Sequence, residues 1–479
     1  MQSLNRETIY PNKDVTSTTD LNSRFVYFVC LVSAMGGLLF GYDWVVIGGA
    51  KPFYELYFNI ADSPSSQGLA MSIALVGCMI GACTCGWLAD KIGRKNLLIV
   101  SAIVFLLSSL LTGAFSSFAL FLVARFFGGV GIGIASGLSP MYIAEIAPSN
   151  IRGKLVSLNQ MTIVLGILAA QIVNWLIAEP IPAGSIASDI ATSWNGQMAW
   201  RWMFWAAAVP SLAFLLMAFF IPESPRWQAM NGQVVAATDT LTRIGGVDYA
   251  HTEMRAISIA NSAIKEQAGL ATLFSRPFGK VLVLGLFIAV FQQWCGTNVI
   301  FNYAQEIFQS AGYSVGDVLF NIVITGVANV VFTIIAINIV DKLGRRKLML
   351  IGALGLCIIY AILGLCYYLH ITGFFMMVLV VAAIGCYAMT LGPCTWVLIA
   401  ELFPNRVRAI AVATCTFALW VGSSTLTYTF PFLNASLGSY GTFWIYSLVC
   451  LVGFVFFMAK LPETKGKSLE QLEEELIKK

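Results

Sequence analysis

Apolar residues in this chain come in long runs of about twenty, separated by short clusters of charged and turn-forming residues. An α-helix needs about 20 apolar residues to cross roughly 30 Å of hydrocarbon. The runs start near Phe25, Gln67, Leu97, Phe118, Lys154, Arg201, Pro277, Asp317, Leu348, Thr372, Ala409 and Tyr440, which predicts twelve membrane-spanning helices and no strand. Composition makes the same demand. Of 479 residues 58% are hydrophobic and 11% charged, with a mean hydropathy of +0.80, more apolar surface than a water-soluble domain can hide. The first residues, through Arg24, are polar and lack the apolar core of a signal peptide; they read as a soluble tail.

Charge placement predicts orientation. With an even number of spans, both ends and alternate loops share one side, and that side holds all but Lys51, Arg125 and Arg201 of the 28 Lys and Arg. Positive residues accumulate on the cytoplasmic side, so both termini are expected in the cytoplasm, with the chain multi-pass in the plasma membrane, the inner membrane if the source is bacterial. The net charge of +4 follows from this topology and points to no nucleic-acid partner. The eleven cysteines fall in apolar stretches without metal-ligand spacing, so neither disulfide nor metal is expected.

The two halves repeat one another. Ala-Asp-Lys-Ile-Gly-Arg-Lys at 89–95 returns as Val-Asp-Lys-Leu-Gly-Arg-Arg at 340–346, Ala-Glu-Ile-Ala-Pro-Ser-Asn-Ile-Arg at 144–152 as Ala-Glu-Leu-Phe-Pro-Asn-Arg-Val-Arg at 400–408, and Pro222-Glu223-Ser224 as Pro462-Glu463-Thr464. Six spans per half keep the repeats in one orientation, the arrangement of transporters with a site between two bundles. The expected organisation is an N-terminal tail (1–24), a six-helix bundle (25–222), a cytoplasmic helical linker (223–276), a second six-helix bundle (277–461) and a C-terminal tail (462–479).

Gly41-Tyr42-Asp43, Pro222-Glu223-Ser224-Pro225-Arg226-Trp227, Gln292-Gln293 and Pro462-Glu463-Thr464-Lys465-Gly466 occur in the order found in one family. From Gly36 to about Leu476 the chain resembles the sugar porters of the major facilitator superfamily, with the nearest likeness to bacterial xylose-proton symporters and facilitative glucose transporters. The resemblance implies alternating-access import of a monosaccharide, by proton symport or, in the uncoupled alternative, as a uniporter. A transporter-like sugar sensor would carry a longer signalling tail than 462–479, and a drug or metabolite exporter a greasier cavity. No Walker motif, nucleophile elbow or zinc cluster suggests an enzyme. The partners expected are a small neutral sugar, protons and lipid, with no cofactor, and the chain is expected to work as a monomer.

Two charges, Asp43 and Arg125, stand well inside apolar runs, where each costs roughly 2.5–3.5 kcal/mol on insertion scales. Helix rise places them at similar depth, so they are expected to pair, either as a purely structural ion pair or with Asp43 as the titrating member, since arginine keeps its proton. In the family, an acid at this Gly-Tyr-Asp is linked to symport. A sugar needs amides that donate and accept together with aromatic faces. Gln160, Gln292, Gln293, Asn298 and Asn329, with Trp396 and Trp420, lie at mid-membrane depth; interhelical glue is the alternative for any single amide. The resemblance assigns each of them to sugar contact, and adds Phe40 as a wall. Asn302, Ile167 and Leu419 replace the polar or aromatic residues common there, and Trp44 a small one. Gly296 is expected to loosen the seventh helix and Pro393 to break the tenth, while the glycines at 128–133 read as helix packing.

The repeated charged strings supply Asp90, Arg94, Glu145, Arg152, Asp341, Arg345, Glu401 and Arg408, joined by Glu223 and Arg226. They are expected to tie cytoplasmic helix ends across the two bundles in the outward-facing state; a solvated charged loop is the alternative.

Overall fold

The computed structural model describes residues 21–182, 185–263, 270–313, 315–404 and 407–465. All regular structure among them is helical. Eleven stretches are long and apolar enough to cross a membrane, and the last, Ile410–Lys460, holds two crossings because the chain turns at Gly438 (φ 67°, ψ 175°). The twelve crossings predicted from the apolar runs are therefore present. The first six are Ser23–Tyr57, Pro64–Ile92, Arg94–Ala114, Phe118–Ile146, Arg152–Ile177 and Asn195–Ala218. The second six begin with Phe278–Asn302, Val318–Val340, Arg345–Tyr368 and Phe374–Leu402, followed by the two within Ile410–Lys460. Both ends of the described chain lie on one face of this array, called here the terminal face; the opposite one is the far face.

Local sequence sets where helices start and turn. The side chain of Asn22 accepts the Phe25 N–H at 3.2 Å and that of Ser63 the Ser66 N–H at 3.3 Å, satisfying donors that a helix start leaves open. Gly93 (φ 94°) and Gly344 (φ 87°) turn the chain between the second and third and between the eighth and ninth spans. Besides the left-handed backbone, a Cβ at either would strike a carboxylate, that of Glu223 or that of Glu463, so the repeated glycine makes room for the repeated acid. Pro225–Met230, Val234–Ala263 and Leu270–Leu273 form the helices of the segment joining the halves.

Within the first half, Gly129 and Gly133 of the fourth span press on the carbonyls of Ala74 and Cys78 in the second. The glycine run therefore serves close helix packing, the gain that small residues offer where lipid leaves no hydrophobic driving force between helices. The seventh span breaks after Trp294: Gly296 takes φ 89° and caps the short helix Thr297–Asn302. The tenth breaks at Thr390 (φ −126°, ψ −82°), between Phe374–Met389 and Leu391–Leu402, three residues before Pro393.

The halves meet in the far half of the membrane. Gly48 of the first span faces the carbonyls of Asn302 and Phe301 of the seventh, and a Cβ there would lie 2.9 Å and 3.1 Å from them. Gly68 of the second span lies against the Tyr428 carbonyl of the eleventh, and the rings of Trp175 and Phe320, on the fifth and eighth spans, are 5.5 Å apart.

Candidate functional site

Asp43 sits in the first span and Arg125 in the fourth. The guanidinium Nη1 donates to Asp43 Oδ1 in a short bond, and both residues are buried at 6% and 3% exposure. Arg125 also lies over the Phe204 ring at 5.3 Å, and its Nε has no partner. The pair expected from depth is thus formed. The pair borders a small cavity lined by Asp43 and Arg125 together with Phe40, Trp44, Met71, Cys78 and Asn302. The cavity wall continues into an aromatic cluster in which Phe40 stands 5.4 Å from Trp44 and 5.9 Å from Trp420, and Trp44 6.1 Å from Trp420. Phe40 and Trp44 belong to the first half and Trp420 to the second, so these rings close the seam between the halves at mid-depth.

On the other side of the seam, the break at Gly296 brings three amides into one chain of hydrogen bonds. Asn298 donates to Gln293, Gln293 to Gln292, and Gln292 to the Tyr387 hydroxyl of the tenth span. All three amides are buried, as is Asn329. On an unbroken helix Gln292 and Gln293 would point about 100° apart; here they bond to each other beside the break. Gln160 and Trp396 are exposed on the fifth and tenth spans, and their side chains make no hydrogen bond among the described residues. Tyr387 was not singled out by the sequence; a tyrosine in an apolar run carries no signal until a buried amide is seen to need an acceptor.

A second omission is larger. Lys51 and Glu55 lie in the same apolar run as Asp43 and are also buried, at 3% and 7% exposure. Lys51 bonds Glu306, which follows the seventh span. Arg201 is buried too, donating to the carbonyls of Gly113 and Phe115 and to Ser116. Hence each of the three basic residues that break the charge bias is buried and partnered. Asp43 and Arg125 are not the only deep charges, because the first helix runs 35 residues, from Ser23 to Tyr57, well beyond a minimal span.

On the terminal face the charged strings form two copies of one arrangement. Arg94 grips Glu145 through Nε and Nη2 at 3.0 Å and 3.1 Å and reaches Asp90 at 3.0 Å. Glu223 accepts the backbone N–H groups of Arg94, Lys95 and Ser224. Burial holds its carboxyl above the usual range, against those donors and the nearby Arg94 charge, which pull it down. In the second half Arg345 pairs with Glu401 at 3.2 Å, and Glu463 accepts the N–H groups of Arg345, Thr464 and Lys465. Arg152 and Arg408 donate to the carbonyls of Ala147 and Phe403, satisfying acceptors at helix ends. Arg226 is exposed; the Asp341 side chain lies outside the described residues. The pairs named here each join spans of one half; the ties across the halves were expected for the outward-facing state. Closure in the far half, described above, explains this: the terminal-face ends are not the surfaces pressed together here. Glu463 belongs with this set, and its signal was the echo of Glu223.

Two six-helix bundles meeting at a seam, with a buried acid beside a small cavity in the first half and a chain of buried amides in the second, have the architecture of a secondary transporter of the major facilitator fold. The Sugar (and other) transporter family model matches residues 29–476, and the chain belongs to that family. It is 37% identical to the arabinose-proton symporter of Bacillus subtilis over 98% of both chains, and 35% identical to the D-xylose-proton symporter of Escherichia coli K12 over 95% of this chain and 96% of that one. Among solved structures it is similar to the inward-open conformation of the xylose transporter of E. coli, with TM-score 0.83 and 34% identity over 94% of this chain and all of that one.

Proposed function

We propose that this chain imports a neutral monosaccharide together with a proton by alternating access. The observation that carries the reading is Asp43, a buried carboxylate on the wall of a cavity at the seam between the halves, held by an arginine that cannot give up its own proton. The names of the two symporters similar to this chain point the same way. With Asp43 charged, the pair is neutral as a whole; a proton on Asp43 leaves Arg125 as an uncompensated buried cation, so protonation and the packing around Arg125 change together. The sugar is bound by Gln292, Gln293, Asn298 and Asn329 with Gln160, and by the faces of Phe40, Trp396 and Trp420. The aromatic cluster forms the lid over it on the far side.

The charge bias places the terminal face in the cytoplasm of a plasma membrane, so the shape described here is the one open to the cytoplasm. The bundles are 25–222 and 277–461, joined by the linker 223–276. In the opposite shape the cytoplasmic helix ends come together, and Asp90, Arg94, Glu145, Arg152, Asp341, Arg345, Glu401 and Arg408, with Glu223 and Arg226, hold that inner gate shut. The monomer is the working unit.

The test is uptake of labelled pentoses, hexoses and polyols into proteoliposomes with an imposed proton gradient. Symport predicts accumulation above equilibrium and alkalinisation of the outer medium as sugar enters. Entry to equilibrium without a pH change would assign the chain to uncoupled uniport, and no uptake of any sugar would overturn the reading.

A further inference from the structure

One buried carboxylate, Glu55, and one partly buried, Glu306, share one ammonium where the first and seventh spans meet. Lys51 Nζ donates to Glu306 Oε1 across the seam and lies 2.9 Å from Glu55 Oε1 on its own helix, one turn away. The side chains of Lys51 and Glu55 are 4% and 9% exposed and that of Glu306 23%. Beyond that ion pair Glu55 Oε1 has no further partner among the described residues, and Glu306 Oε2 accepts no hydrogen bond there. Among the described residues no second cation comes near to balance the pair. Arg125, deeper in the bundle, is committed to Asp43, and Arg201 to the carbonyls and hydroxyl already named. The other titratable neighbours are neutral: Tyr303, whose ring lies 5.4 Å from the Lys51 ammonium and whose hydroxyl donates to the Thr427 carbonyl, Tyr446 beyond it, and Tyr54, whose hydroxyl points to Met71.

One excess negative charge in such a place is expensive, since a buried charge is tolerated only when paired. The cost arises only when the gap closes. Lys51 and Glu55 are four residues apart on one helix and pair whatever the seventh span does, whereas Glu306 arrives with that span. We propose that Glu55 is a second proton-binding site, separate from Asp43, whose carboxylate takes up one proton from the far-side solution as the first and seventh spans close. The balance is simple: Glu55 passes from carboxylate to carboxylic acid, Lys51 exchanges Glu55 for Glu306 as its charged partner, and the closed cluster becomes neutral. Opening reverses each step. The inference rests on the alternating-access reading but not on any role of Asp43.

Closure that binds one more proton than the open form is favoured as pH falls, and one linked proton changes the closed-to-open ratio by up to tenfold per pH unit. The test uses the full chain in lipid nanodiscs without sugar, in an Asp43→Asn background that removes the other acid. Distance labels on Asp62 and Gln309, attached by chemistry orthogonal to the native thiols, report the far-face gap. As pH falls from about 8 to about 5, the closed fraction of Asp43→Asn should rise with a slope approaching tenfold per unit. Adding Glu55→Gln should abolish the slope and leave the gate closed throughout. Adding Glu306→Gln, which leaves Glu55 untouched, should also abolish it but with the gate shifted open. A slope that persists in either double variant, or is absent from Asp43→Asn alone, overturns the proposal. Failure of Asp43 to couple transport would leave these outcomes unchanged.

Discussion

The first and seventh spans occupy the same place in the two repeats, yet they are built oppositely. The first is one helix of 35 residues that carries the acid Asp43 and, about two and three turns further, Lys51 and Glu55. The seventh breaks at Gly296 and carries uncharged amides on either side of the break. A charge inside a membrane needs a rigid partner at fixed distance, which an unbroken helix packed on Arg125 of the fourth span supplies. A solute with many hydroxyls needs donors and acceptors aimed from several directions, which a regular helix cannot present from neighbouring positions and a broken one can. Two equivalent frames thus carry different side-chain chemistry, buried charge in one and buried amides in the other, and on the proposed function the first handles the proton and the second the sugar.

The sharpest way to break that comparison is to neutralise the charged side. Asp43→Asn should reduce accumulation of the transported sugar to simple equilibration while exchange of labelled for unlabelled sugar continues, because exchange needs only the loaded cavity to reorient. Membrane potential contributes about 2.3 kcal/mol per charge per 100 mV, so wild-type accumulation should follow voltage and that of the variant should not. Accumulation against a gradient by Asp43→Asn would return Asp43 and Arg125 to a structural pair.

On the uncharged side, Gln293→Ala removes the middle of the amide chain and leaves Asn298 and Gln292 without their partner. Leaving a buried group unsatisfied costs about 1–3 kcal/mol, which corresponds to roughly five- to 150-fold in affinity. Calorimetric titration with the preferred sugar should show a loss of that order while proton-coupled stoichiometry is retained. Unchanged affinity would move the sugar away from the seventh span.

Gly296→Ala asks whether the break itself is needed. Alanine at φ 89° is strained by about 1–3 kcal/mol, and its Cβ would stand 2.9 Å from the Tyr446 ring. The purified protein should therefore melt at a lower temperature and bind sugar more weakly, with Asp43 chemistry intact. Equal sugar affinity in a less stable protein would show that the break serves packing alone.

The smallest effect is expected from Tyr387→Phe, which deletes one hydroxyl. Gln292 loses its acceptor but keeps its bond to Gln293, so the loss in sugar affinity should be about 1 kcal/mol, near fivefold. Restoring full affinity with a sugar that itself offers an acceptor at that point would place Tyr387 against the ligand.

Much of this molecule was legible one residue at a time. Run length predicted the twelve crossings, because the bilayer sets a length that no tertiary arrangement can change. The doubled strings at 89–95 and 340–346 predicted two equivalent halves. The cost of deep charge predicted that Asp43 would find Arg125, and φ-permissive Gly296 that the seventh span would break. What remained illegible depended on which helix faces meet. Lys51 and Glu55 looked like the polar end of a span until the length of the first helix and the approach of Glu306 buried them. Tyr387 had no signal without the Gln292 amide beside it. The pairing of Arg94 with Glu145 and of Arg345 with Glu401, inside each half and not across them, depended on the face at which the halves close. Composition and periodicity report what a residue needs from its solvent, and here the solvent is lipid over most of the chain. Partners across a seam are decided only when two helices from distant parts of the sequence are brought within a few ångströms, and the close approach of Gly48 to the Asn302 carbonyl is one such place.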